Sequence, residues 1–182
     1  MAANIFVLGL LCLVAIGSGR QPAGHLLKDE EARARQQLVA IAVSQLQVRE
    51  ATGKNDGVAV EAYLAVTGLK KGNPWCAAFI SWVFAQAGYP VPRTAWSPAL
   101  FTAKVKTKEI KPANVLGIWF AGLGRIAHVG MVERREGDWI LSIEGNTSSA
   151  TSREGDGVYR KRRHIKSICA YADWTKQKGA RP

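Results

Sequence analysis

Three side chains, spread widely over a chain of 182 residues, have the types needed for thiol chemistry: Cys76, His128 and Glu144. A thiol attacks a carbonyl as its thiolate. It needs a base, normally histidine, and that base needs a group to orient it. Cys76 lies in Gly72-Asn73-Pro74-Trp75-Cys76-Ala77-Ala78-Phe79-Ile80. Asn73 suits a helix N-cap and Pro74 the first helical position, which predicts a helix from there to Ala87, closed by Gly88. Cys76 then falls in the first turn, where free N–H groups and the positive end of the helix dipole favour thiolate. Phe79, Ile80, Trp82, Val83 and Phe84 cover nearly the whole circumference, so this helix should be buried and central. The same thiol also fits two plainer readings, core filler and a disulfide with Cys169.

The chain holds three histidines. His25 falls in a linker-like stretch. His164 ends the basic run Arg160-Lys161-Arg162-Arg163-His164, which reads as a solvated strand end. His128 sits within Ala127-His128-Val129-Gly130-Met131-Val132, a strand whose Ala127, Val129 and Met131 form one face. His128 shares the other face with Gly130, which leaves room beside the imidazole. The connection Arg135-Glu136-Gly137 fits a three-residue hairpin loop. That register pairs Arg134 with Asp138, Val132 with Ile140, Gly130 with Ser142 and His128 with Glu144. Directly opposed residues lie about 5 Å apart on one face, so Glu144 lies beside His128 with Asn146 diagonal on the same face, and both are candidate orienters. A two-residue Glu136-Gly137 loop would instead set Gly145 opposite His128 and turn Glu144 away.

These groups need elements to carry them. Ile5 to Gly17 is one apolar run, shorter than the span of about 20 residues that a membrane helix requires. It fits a secretory signal, with Ala15-Ile16-Gly17 as a small-x-small cleavage site, although no Lys or Arg precedes it. Cys12 lacks the small preceding residue of a lipid-modified cysteine. The expected organisation is a signal peptide over 1–19, a linker over 20–28, a catalytic domain over 29–176 and a tail over 177–182. Helices are predicted from Asp29 to about Glu50, from Val58 to Thr67 with a stop at Gly68, and at Ser97-Pro98. Strands are predicted at Val115–Phe120, Ala127–Arg134, Trp139–Gly145, Val158–Arg163 and Ile165–Ala172. Helices followed by a run of strands indicate an α+β domain. Hydrophobic residues make up 47% of the chain, which argues against disorder, and the net charge of +11 favours polyanionic partners.

Taken in order, "NPWCAAFISWVFAQAG", "RIAHVGMV" and "SIEGN" resemble the CHAP family of cysteine- and histidine-dependent amidohydrolases and peptidases. The likeness spans residues 38–172. It implies a papain-like cysteine-peptidase core, with N-terminal helices packed on an antiparallel sheet of about five strands. It implies Cys76 as nucleophile, His128 as base, Glu144 as orienter and Asn146 as a helper to the imidazole or the substrate. The family's substrate is peptidoglycan, cut at an amide bond, and no metal or cofactor is implied. Asp56, in the turn Asn55-Asp56-Gly57, and Trp75 and Trp96 are candidates to line the cleft, against the plainer readings of an ordinary turn and of core packing.

An exported, monomeric cell-wall hydrolase is therefore the leading expectation, with no stable membrane insertion once the signal is removed. A catalytically inactive wall-binding module is the alternative. A nucleic-acid binder using Arg160–Lys166 is disfavoured by the export signal and by the lack of an interleaved aromatic platform.

Overall fold

The computed structural model describes residues 23–149, 155–177 and 179. The signal run therefore lies outside the described residues. Three helices come first: α1 (Ala23–Val43), α2 (Val58–Ala65) and α3 (Cys76–Gln86). Six strands follow: β1 (Lys106–Thr107), β2 (Val115–Phe120), β3 (Arg125–Glu136), β4 (Trp139–Thr147), β5 (Gly157–His164) and β6 (Ala170–Ala172). They form one antiparallel sheet in the order β1-β6-β2-β3-β4-β5. The expected α+β class holds.

Several boundaries differ from expectation. Helix α1 begins at Ala23, so residues 23–28 are helix rather than linker, and it ends at Val43 instead of near Glu50. Arg35 anchors it: buried, this side chain bonds Asp173 at 2.6 Å, Asn114 at 3.0 Å and the Pro112 carbonyl at 3.0 Å. Residues 165–167 form a 3-10 turn, which reduces the fifth expected strand to β6. A two-residue strand, β1, pairs with β6 and was not foreseen. Ser97–Leu100 is a 3-10 turn, not an α-helix.

Helix α3 is the centre of the core, as its apolar sequence requires. Eight of its residues are buried, and it packs on β3 and β4. Val115, Val129, Met131, Ile143 and Val158 join its cluster from the sheet. A second, smaller cluster of Leu116, Val132 and Ile140 occupies the other face. The helix stops at Gly88 (φ 79°), where the Tyr89 N–H reaches back to the Phe84 carbonyl at 2.9 Å.

The start of α3 is not capped as expected. Asn73 turns away and donates to the Lys70 carbonyl. The helix begins at Cys76, and Trp75 precedes it with no cap from its own side chain.

Candidate active site

Cys76 is the first residue of α3 and is only 6% exposed. Its Sγ lies 3.5 Å from the Ser97 Oγ, a partner brought by the 3-10 turn. Burial raises the thiol's pKa. Hydrogen bonding and charge from His128, the Ser97 hydroxyl and the Ala77 N–H outweigh that effect, so the thiol ionises more readily than usual.

His128 is brought to the thiol by an irregularity in β3. Ile118 pairs with His128 and Trp119 with Ile126, which leaves Ala127 as an extra residue. Such bulges redirect neighbouring side chains and occur beside active sites. The His128 Nε2 meets Glu144 Oε2 at 2.8 Å, so Nδ1 is the ring nitrogen left for the sulfur. Burial works against the imidazolium. The thiol and Glu144 more than offset it and push the His128 pKa up to about 9.

The contact between His128 and Glu144 was expected, but the register that produces it was not. The hairpin closes with a two-residue turn, Gly137-Asp138, between paired Glu136 and Trp139, with Gly137 at φ 59°. That pairing alone would turn Glu144 to the wrong face. Glu133 then bulges out of the ladder between Arg134–Leu141 and Val132–Ser142, and this restores the parity. Continuing the register sets Gly130, not His128, opposite Glu144. A Cβ on Gly130 would lie 2.6 Å from the Glu144 Cγ. Glycine is thus what lets the carboxylate cross the strand and reach the imidazole diagonally.

Glu144 is fully buried, and each oxygen accepts two hydrogen bonds. Oε1 takes Ser142 Oγ at 2.7 Å and Arg163 Nε at 2.9 Å. Oε2 takes Arg163 Nη2 at 2.6 Å and His128 at 2.8 Å. Burial alone would raise its pKa; the Arg163 fork and His128 instead hold it down at about 2. Neither Arg163 nor Ser142 was expected as a partner of Glu144. The basic run does end strand β5 with Arg160 and Arg162 exposed, but it is not free of partners: Arg160 grips Glu133, Lys161 donates to the Ser148 carbonyl and Arg162 stacks over Trp139.

Asn146 lies elsewhere than expected. At φ 53°, its Oδ1 accepts the Trp75 backbone N–H at 3.1 Å. Its Nδ2 reaches Asn55 Oδ1 at 3.1 Å and Glu50 Oε1 at 3.4 Å. Glu50 also accepts the Trp75 indole N–H and the Asn55 backbone N–H, both at 2.8 Å. This network braces the residue before Cys76 from residues remote in sequence, and Asn146 is engaged there rather than at the imidazole. Trp75 is fully buried and cannot wall a cleft. Asp56 closes its own turn through the Thr52 N–H and hydroxyl. Trp96 is 54% exposed and stands next to Ser97. Cys76 and Cys169 are both free thiols, and Cys169 donates to the Gly117 carbonyl on β2.

A helix that begins with a cysteine lies against an antiparallel sheet that supplies histidine and glutamate. Residues 68–146 match the family model of the CHAP domain. The matched stretch is similar to the CHAP domain. The match encloses Cys76, His128, Glu144 and Asn146, while Glu50, Asn55 and Arg163 lie outside it. The domain has a papain-like fold and points to amidase-type hydrolysis of cell-wall peptidoglycan. No curated protein matches the chain. Among the described residues, no helix is long and apolar enough to cross a membrane.

Proposed function

We propose that this protein is an exported, monomeric peptidoglycan hydrolase that cuts an amide bond through a thioester on Cys76. The bond is the sugar–peptide amide or one within the peptide portion. The reading rests chiefly on one observation: a buried thiol at a helix start, whose ionisation His128 favours, with the His128 Nε2 held 2.8 Å from a buried glutamate. Export rests on the apolar run from Ile5 to Gly17.

The pairing favours a proton on His128 and the thiolate form of Cys76. The sulfur adds to the substrate carbonyl. The Cys76 backbone N–H, unpaired at the first helical position, stabilises the oxyanion. The imidazolium gives its proton to the departing amine, and neutral His128 then draws a proton from the water that hydrolyses the thioester. Glu144 fixes the ring and stabilises its charge. Asn146 acts at a distance, holding Trp75 and hence the start of α3. The net charge of +11 favours adsorption to anionic wall polymer.

Turbidity of purified peptidoglycan tests the proposal, compared between the parent and Cys76→Ala. The parent should clear the suspension, and the variant should leave it turbid while keeping the parent's circular dichroism. Clearing by the variant at the parental rate would defeat the assignment.

A further inference from the structure

Exposed large apolar side chains are informative when they gather. Here Trp96, Trp119, Phe120 and Leu123 are exposed around the β2–β3 connection. In the ladder, Phe120 pairs with Arg125 and Trp119 with Ile126. The Arg125 guanidinium lies 4.2 Å over the Trp96 ring, and its Nη1 donates to the Ile126 carbonyl at 3.2 Å. Trp96 precedes Ser97, whose hydroxyl meets the Cys76 sulfur. Arg125 lies three residues before His128 on the same strand. The stacked pair therefore springs from the two segments that bring Ser97 and His128 to the thiol.

We propose that Trp96 and Arg125 form a subsite for a substrate carboxylate flanking the scissile amide. The proposal rests on the hydrolase reading above, and the occupant is a peptidoglycan peptide bearing a free carboxylate there. A guanidinium held over an indole ring, with one Nη1 hydrogen bond to the Ile126 carbonyl, still has N–H groups for a carboxylate, and less rotamer freedom is lost when it binds. Among the described residues Arg125 has no carboxylate partner, whereas Arg35, Arg134, Arg160 and Arg163 each hold an aspartate or glutamate. Arg49 and Arg162 also stack on rings, but over Tyr159 on β5 and Trp139 at the hairpin. Of the three stacked arginines among the described residues, Arg125 is the one on the strand segment that carries His128. The open part of the Trp96 surface offers apolar contact to the same peptide.

The test uses two muropeptides that differ only in a carboxylate or a carboxamide beside the scissile bond. The parent protein should favour the carboxylate form in kcat/KM by about 10- to 100-fold, the range for a charge-assisted hydrogen bond. Arg125→Gln should bring that ratio close to one through loss on the carboxylate substrate. Arg125→Lys should leave an intermediate ratio, because it keeps the charge and loses the planar fork. Arg162→Gln, at the stacked pair by the hairpin, should keep the parental ratio. Equal cleavage of both substrates by the parent, or an Arg125→Gln ratio still at the parental value, overturns the subsite alone. Failure of the parent to cleave either substrate or whole peptidoglycan overturns the hydrolase reading and the subsite with it.

Discussion

Replacing Arg163 by methionine tests the support beneath the site. Methionine keeps much of the apolar stem and removes every N–H donor. Glu144 is fully buried, and Arg163 supplies two of its four hydrogen bonds, at 2.9 and 2.6 Å. Removing one member of a buried ion pair costs about 3–5 kcal/mol. The Arg163 side chain is 28% exposed, so water can reach the orphaned carboxylate. The lower end, about 3 kcal/mol, is therefore expected. In a domain of this size each kcal/mol moves Tm by about 2–4 °C, which gives a drop of about 6–12 °C.

The pH dependence has a definite sign. The Glu144 pKa is depressed in the folded protein, to about 2. The stability this supplies is present above the unfolded value of about 4.3 and is lost as pH falls towards 2. Arg163→Met raises the folded pKa towards or above the unfolded value, so the variant should lose less stability than the parent as pH falls, and the gap between their melts should narrow at pH 4. Thermal melts at pH 7 and pH 4 measure both effects. Adding Glu144→Gln should recover part of the loss at pH 7, because no buried charge is then left unpaired. A variant that melts within about 1 °C of the parent at both pH values would refute the reasoning.

Four further outcomes follow from the same geometry. Iodoacetamide should alkylate Cys76 with an inflection below the ordinary thiol range, and His128→Ala should move that inflection up. Hydrolysis in the parent should decline as pH rises through about 9, where His128 loses the proton owed to the leaving amine. Gly130→Ala should cost about 1–3 kcal/mol in denaturant melts and most of the activity, since its Cβ would lie 2.6 Å from the Glu144 Cγ. Glu50→Ala removes the acceptor of the Trp75 indole and Asn55 N–H groups; kinetics on a defined muropeptide should show kcat falling further than KM rises.

The sequence made α3 and the strand pair β3–β4 legible for different reasons. An apolar surface on every side of Phe79–Phe84 has only a buried solution, and the short apolar run Val129–Val132, buried on both faces, marks a core strand. The phase of the hairpin was hidden because Glu133, Arg134, Arg135 and Glu136 are all charged. Such a run carries no alternation to show where a bulge resets the faces. The expectation reached the His128–Glu144 contact through a register displaced by two residues, which preserves the face and changes the partner. Arg163 was hidden in the same way: in Arg160-Lys161-Arg162-Arg163 nothing local tells which base turns towards Glu144, and pairing with β4 decides it. The cap of α3 was misjudged because local rules favour Asn73. The Trp75 N–H goes instead to Asn146, which is remote in sequence and near only once the sheet has formed.

The central claim is that Cys76 carries the acyl group during turnover. Acid-quenching the protein with a muropeptide substrate, then mapping peptides by mass spectrometry, measures this directly. The account expects the mass of the substrate's acyl portion on the peptide containing Cys76, at levels that vanish as substrate is consumed. Continued hydrolysis with Cys76 fully alkylated and no acylated peptide would contradict it.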